Sequence, residues 1–247
     1  MDLSVSRAVV TGGASGLGQA TARHFRERGA QVVLLDRDPA GARVARAMGA
    51  GFAETDVTDE DSVSRAIAAS VEAMGGIDIC VNCAGIVIGE KTLGREAPHS
   101  LAGFRRTVEI NLIGSFNVLR LAAAEMARNG RDENGVIVNT ASIAAFDGQK
   151  GQAAYAASKA GIAGMTLPIA RDLSSRNIRI CAIAPGIFAT PMLRGLPTEV
   201  QDGLAAGVTF PRRLGDPAEF ARMAGTIVEN AYLNGEVIRL DGGLRMT

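Results

Sequence analysis

A chain of 247 residues with 47% hydrophobic side chains is long enough for one large α/β domain and short for two. Its 26 basic and 26 acidic residues cancel, which removes the electrostatic case for a nucleic-acid or anionic-membrane partner, and no apolar run approaches the roughly 20 residues of a bilayer span. Cys80, Cys83 and Cys181 do not make a disulfide framework, and few residues precede the first apolar run, so a cytoplasmic protein without a leader peptide is expected.

Strand-length apolar runs alternate with helix-length stretches along the chain. Strands are predicted near 5–10, 31–36, 51–54, 77–82, 135–141, 177–184 and 236–240. Helices are predicted near 16–29, 39–49, 59–74, 100–129, 152–174, 191–206 and 216–230. Val32–Leu35 and Ile178–Ile183 show little polar alternation, as strands do when both faces of a parallel sheet are covered. The repeated β–α order therefore predicts one α/β domain, a Rossmann-like, doubly wound parallel sheet of about seven strands with helices on both faces. A nucleotide-binding half is expected over about 1–130 and a catalytic and substrate half over about 131–247.

The first strand-to-helix turn reads Thr11-Gly12-Gly13-Ala14-Ser15-Gly16-Leu17-Gly18. Glycines at such a corner permit positive φ and let a pyrophosphate approach the backbone, where the helix N-terminus presents free N–H groups. Asp36 closes the second strand about 20 residues on, where a ribose hydroxyl contact belongs. Its carboxylate accepts hydroxyl bonds and repels a 2′-phosphate, so NAD is expected over NADP. Arg37 would pair with such a phosphate, but Asp36 and Asp38 flank it and the loop carries no basic residue.

Tyr155-Ala-Ala-Ser-Lys159 places a phenol and an ammonium four residues apart, on one helix face. A free phenol has a pKa near 10; a neighbouring ammonium and a nicotinamide cation favour phenolate, and a lowering of three units requires roughly 4 kcal/mol. Tyr155 would then exchange a proton with an alcohol oxygen while hydride moves to or from the cofactor. Ser142, just past the fifth strand, is placed to hold the same oxygen.

These pieces, in this order, resemble the short-chain dehydrogenase/reductase family, and the likeness covers essentially the whole chain. It implies cofactor contacts from Gly12, Ser15, Gly16, Leu17, Gly18, Asp36, Tyr155 and Lys159. It adds Asp56-Val57 at the adenine and Asn82-Cys83-Ala84-Gly85, where Cys83 departs from the family's second asparagine. Pro185-Gly186, with Ile187, Phe188 and Thr190, resembles the segment beside the nicotinamide. Asn111 matches a helix asparagine that helps order a water linked to the lysine. Thr166–Asp172, Arg213–Glu219, Asn234–Gly242 and Ala145–Gln149 narrow the likeness to the type II 3-hydroxyacyl-CoA dehydrogenases, also described as multifunctional hydroxysteroid dehydrogenases. That implies a homotetramer, a substrate contact from Gln149, and oxidation of a short 3-hydroxyacyl-CoA thioester or reduction of the ketone. A reductase of 3-oxoacyl groups on acyl carrier protein is the near alternative and should favour NADPH. A nucleotide-binding scaffold or RNA-processing subunit is the alternative of another class.

Other signals are read as packing. Cys80 and Cys83 fall in an apolar strand with side chains on opposite faces, and no second pair completes a zinc site, so no metal is expected. His24 is read as a boundary residue of the first helix. His99 lies in a turn before Ser100, a candidate helix cap, and neither histidine has a nameable carboxylate partner. Met192, Leu196, Leu204 and Phe210 line a pocket or cover the core. Arg194, Arg212 and Arg213 are candidates for CoA phosphates against a solvated surface. The small residues Ala153, Ala156, Ala157, Ala160, Gly161, Ala163 and Gly164 on the Tyr155 helix predict a close subunit contact.

Overall fold

The computed structural model describes residues 1–195 and 197–246. Strands β1 (Arg7–Thr11), β2 (Gln31–Asp36), β3 (Gly51–Glu54), β4 (Ile79–Asn82), β5 (Gly135–Thr140), β6 (Ile178–Pro185) and β7 (Val237–Leu240) form one sheet in the order β3-β2-β1-β4-β5-β6-β7. Every neighbouring pair is parallel. The period of two along each strand sends alternate side chains into two cores. Val10, Leu34, Val81, Val138 and Ile183 meet α1 (Gly16–Glu27), α2 (Gly41–Ala47) and α9 (Pro217–Glu229) through Phe25, Ala45 and Phe220. Val9, Leu35, Cys80, Ile137 and Ile180 meet α3 (Glu60–Met74), α5 (Gly114–Met126) and α6 (Ala153–Leu173) through Ile67, Val118 and Ile169. The predicted α/β class and two-faced sheet are therefore what the chain forms.

Two predicted helices differ. The stretch near 100–129 is α4 (Leu101–Val108), a π turn over Glu109–Ile113, and α5. Gly114 N–H reaches back five residues to the Glu109 carbonyl, and the Ser115 hydroxyl donates to Asn111 O at 2.7 Å. Gly114 also lets the helix press on the third crossover, because a Cβ there would lie 2.6 Å from the Val57 side chain. Such π turns interrupt helices most often at functional sites. The stretch near 191–206 is α7 (Pro191–Arg194) followed by α8 (Thr198–Ala206). Gly195 caps the first, and Pro197, without an N–H to continue the ladder, caps the second.

The chain order leaves β1 toward β2 and β3, then returns to place β4 on the other side of β1. This reversal opens a crevice at the carboxyl ends of β1 and β4, the place where open α/β sheets hold ligands. The two loops meet there closely: a Cβ on Gly12 would come within 2.9 Å of Ala84 N. The opposite end of the sheet is closed by ions, with the buried Asp78 carboxylate paired to Arg7 at 2.7 Å and Arg131 at 3.2 Å.

Candidate active site

A cleft of about 1110 Å³ runs along the carboxyl ends of the strands. The residues expected to react or to contact cofactor or substrate line it, except Asn82 and Asn111.

The first wall is the β1–α1 turn. Gly12 has φ +61°, and a Cβ on Gly18 would collide with the Gly12 carbonyl, so both positions need glycine. Ser15 is the N-cap of α1 without a side-chain capping bond, leaving the first N–H groups of the helix facing the cleft beside Gly16 and Leu17. Asp36 is fixed against this turn: one carboxylate oxygen accepts from Ala14 N at 3.0 Å and the other from Asp38 N at 3.1 Å. Farther along, Asp56 accepts from the Thr58 N–H and hydroxyl, which holds its carboxyl below the usual range. Val57 is nearly buried, with its carbonyl taken by Asn117 Nδ2 at 3.0 Å. The backbone N–H groups of Cys83 and Ala84 both donate to the Thr11 hydroxyl at 3.1 Å, so Gly85 follows as a fixed corner. This glycine cradle beside a pinned carboxylate and a helix N-terminus fits the pyrophosphate and ribose of a dinucleotide.

Pro185 and Gly186 end β6 against β7, where a Cβ on Gly186 would lie 2.9 Å from Asp241 Cα. Phe188 is largely a core residue, 7% exposed and edge-on to Phe220 with centroids 6.4 Å apart. Thr190 caps α7 beside Gly16, within 3.6 Å of a Cβ built there.

The second wall carries the groups expected from the sequence to react. Ser142 caps a short 3₁₀ turn, Ile143–Ala145, and its hydroxyl oxygen accepts from Ala144 N at 3.1 Å. That contact leaves the hydroxyl proton free to donate. Tyr155 and Lys159 lie one turn apart on α6, with Nζ 5.8 Å from the ring centroid. Lys159 is 5% exposed and donates to the Thr140 carbonyl at 2.7 Å. Burial brings its pKa down to about 8.

The expected lowering of the Tyr155 pKa counted a nicotinamide cation together with Lys159, and the chain's own groups do not supply it. Burial raises the phenol, and the hydrogen bond with Ser142 opposes that only in part.

Asn111 occupies the π turn behind the cleft. Its amide oxygen accepts from Ile86 N at 2.8 Å, and its nitrogen donates to Ile86 O and Ser158 Oγ, both at 3.0 Å. It thereby ties the loop after β4 to α6. Gly85 abuts both groups, since a Cβ there would lie 3.1 Å from Asn111 Oδ1 and 3.7 Å from Lys159 Nζ.

Gln149 lines the cleft, its N–H donating to Gln152 Oε1 at 3.0 Å. Gln152, Leu193 and Met246 also line it and were not anticipated; neither were Arg105 and Arg106 on α4. Thr140 was missed too, although it ends β5 two residues before Ser142. Leu204 joins the cleft wall, whereas Phe210 is 81% exposed away from it. Leu196 and the Met192 side chain lie outside the described residues. Arg213 is paired with Glu219 at 2.7 Å, and Arg194 and Arg212 are exposed without lining the cleft.

Cys80 packs as expected, whereas Cys83 lies just past β4 and lines the cleft. Cys80 is buried in one core with its thiol pushed up to about 12, and Cys83 contacts the other core with its thiol raised to about 11. No cluster of potential metal ligands occurs among the described residues. His24 packs at the α1–α9 boundary beside Gly225. Ser100 does cap α4, accepting from Gly103 N at 3.2 Å. His99, however, has a carboxylate neighbour, with Nδ1 3.6 Å from Glu90. On α6, only Ala153, Ala157, Ala160 and Gly164 of the small residues face outward. Gly161 instead meets Leu112, and Ala156 meets Gly148, within the same chain.

The family model described as enoyl-(acyl carrier protein) reductase matches residues 12–245. The chain is 53% identical to 3-hydroxyacyl-CoA dehydrogenase type-2 of Homo sapiens, over 97% of this chain and 95% of that protein. It is 36% identical to a 3-oxoacyl-(acyl-carrier-protein) reductase of Thermotoga maritima, over 96% of each chain. The crystal structure of 3-hydroxyacyl-CoA dehydrogenase type-2 from Mycobacterium avium superposes with a TM-score of 0.93 at 43% identity, covering 97% of this chain and 96% of that one.

Proposed function

Because the chain belongs to the short-chain dehydrogenase/reductase family and is an oxidoreductase acting on CH–OH groups, we propose that it interconverts a short 3-hydroxyacyl-CoA and its 3-oxoacyl-CoA with NAD(H). The observation that carries this reading is the meeting of Ser142, Tyr155 and Lys159 in the same cleft as Asp36 and the glycine cradle. When bound, the nicotinamide supplies or accepts the hydride. Ser142 donates a hydrogen bond to the substrate oxygen and holds it against Tyr155. Tyr155 gives a proton to that oxygen in reduction and removes it in oxidation. Lys159, anchored on Thr140, keeps a positive charge beneath the phenol and favours its ionised form.

Asp36 supports NAD as the cofactor. Catalytic efficiency with NAD should exceed that with NADP by at least about tenfold, since one close like-charge contact costs on the order of 1–3 kcal/mol. Asp36→Ala should narrow the gap. Equal efficiencies in the wild-type protein would remove the basis for this preference and favour the carrier-protein reductase instead.

The cleft lining includes the apolar residues Ile143, Ala144, Leu193, Leu204 and Met246, to which we assign the acyl end. A free acid would bring an unpaired carboxylate against it, which is costly to desolvate. A thioester carries no charge there, and its remote CoA portion adds binding that helps position the β-carbon. Arg105 and Arg106, exposed on the cleft side of α4 without an ion-pair partner among the described residues, are the cations best placed for its phosphates. Acetoacetyl-CoA should therefore have a higher kcat/KM than acetoacetate. A tenfold advantage for the free acid or for a sugar alcohol would reject the acyl-CoA reading while leaving the dehydrogenase class standing.

The outward seam of Ala153, Ala157, Ala160, Gly164 and Leu167 on α6 lets a second helix approach closely, which supports a homotetramer. No described helix is long and apolar enough to cross a membrane, and a cytoplasmic location is proposed with the same reading.

A further inference from the structure

Arg239 lies on the last strand, far in sequence from every reacting group, yet its guanidinium ties three segments together. Its terminal nitrogen bonds the Asp147 carboxylate at 2.6 Å, a residue 92 positions away. The same nitrogen donates to the Leu244 carbonyl at 3.1 Å, while Nε donates to Asp241 at 2.8 Å. The guanidinium also stacks over the Phe146 ring at 5.4 Å. Asp147 in turn is bound to the turn that carries Ser142: its N–H donates to the Ile143 carbonyl at 2.9 Å, and Ala145 N donates to Ser142 O at 3.0 Å. Two residues beyond Asp147 comes Gln149 in the cleft wall, and two beyond Leu244 comes Met246 in the same wall.

The described hydrogen bonds of the Asp147 side chain go to Arg239 alone, and Arg239 holds that carboxyl below the usual range. The pair is mostly shielded, with side-chain exposures of 23% and 20%. Without it, the Ile143–Ala145 turn keeps its own hydrogen bonds, but the segment from Phe146 to Gln149 loses its side-chain tie to β7. Phe146 is half exposed. We propose that Arg239 is a positioning residue of the active site, acting through Asp147 to hold the Ser142–Gln149 segment in register with Tyr155.

The test compares Arg239→Gln, Asp147→Ala and the double variant, using whichever carbonyl compound the wild-type protein reduces fastest. That choice keeps the result independent of the acyl-CoA reading. Misplacing an oxygen-holding group by a fraction of an ångström should lower kcat by about tenfold in each single variant. The double variant should be no worse than the poorer single, because the described hydrogen bonds of the Asp147 side chain go to Arg239 alone, so its loss adds nothing once Arg239 is gone. NADH dissociation constants, read by nicotinamide fluorescence, should stay within about twofold, and Arg239→Lys should recover part of the loss. A kcat within about twofold of wild type in Asp147→Ala would overturn the proposal, as would losses that multiply in the double variant. So would a fall in NADH affinity in step with kcat, which would mark a general loosening of the fold. Should Arg239→Gln fail to fold, Asp147→Ala decides alone, with restoration by Asp147→Glu supporting the role.

Discussion

Tyr155→Phe should lower kcat by roughly 10²–10⁴, the range for removing a general acid and base, while NADH binding and thermal stability stay close to wild type. The substitution removes one oxygen from a ring whose position is set by α6 rather than by its hydroxyl. Ser142 keeps its own contact to Ala144 N, so the pocket should not collapse. Burial holds the phenol protonated through neutral pH, so the proton needed for ketone reduction is already in place. Alcohol oxidation needs the ionised form and should therefore speed up as pH rises. The residual activity of Tyr155→Phe should lose that pH dependence. Steady-state rates from pH 6 to pH 10 in both directions check this, and a variant with more than half the wild-type rate would reject the assigned role.

Lys159→Met should abolish activity to a similar degree and yet stabilise the protein measured without cofactor. The folded-state pKa of Lys159, about 8, lies below its ordinary value of 10.5 because burial penalises the ammonium. Below about pH 8 both folded and unfolded chains hold the proton, and the burial cost is fully present. Between about 8 and 10.5 the unfolded chain holds more protons, so wild-type stability rises with pH across that window. Near pH 7 a methionine of similar shape removes the cost and gives up one hydrogen bond to the Thr140 carbonyl. The net gain should be on the order of 1–3 kcal/mol, read from denaturant midpoints. The gain should shrink as pH approaches 10. A destabilised Lys159→Met at pH 7 would mean that the bond to Thr140 outweighs the desolvation of the charge.

What the sequence made legible was local. The i, i+4 pair of Tyr155 and Lys159 needs only a helix to share a face, and Gly12 and Gly18 need only a strand followed by a tight turn. Asp36 is recognisable because it ends the second strand, and the Ser100 cap because it precedes an apolar helix. The sheet order follows from the same repeat of strand and helix.

What stayed hidden depends on contacts between distant segments. The π turn at Glu109–Ile113 leaves no periodicity signal, because its extra residue is accommodated by Gly114 against Val57 from another crossover. His99 acquires Glu90 only when the loop between them folds back on itself. Two of the seven small residues on α6, Ala156 and Gly161, serve packing within the chain, which composition cannot distinguish from a subunit seam. The spacing of Tyr155 and Lys159 places a cation near the phenol but says nothing of how completely both groups are buried. Arg239 and Asp147, 92 residues apart, leave no trace in any local pattern.

The most direct test follows the hydride itself. The protein is mixed with a 3-oxoacyl-CoA and NADH fully deuterated at nicotinamide C4, and the recovered thioester is analysed by mass spectrometry. The account predicts a 3-hydroxyacyl-CoA carrying one deuterium bound to C3, absent when Tyr155→Phe is used for the same brief reaction. A product without deuterium at C3, or no product while NADH binds normally, would contradict it.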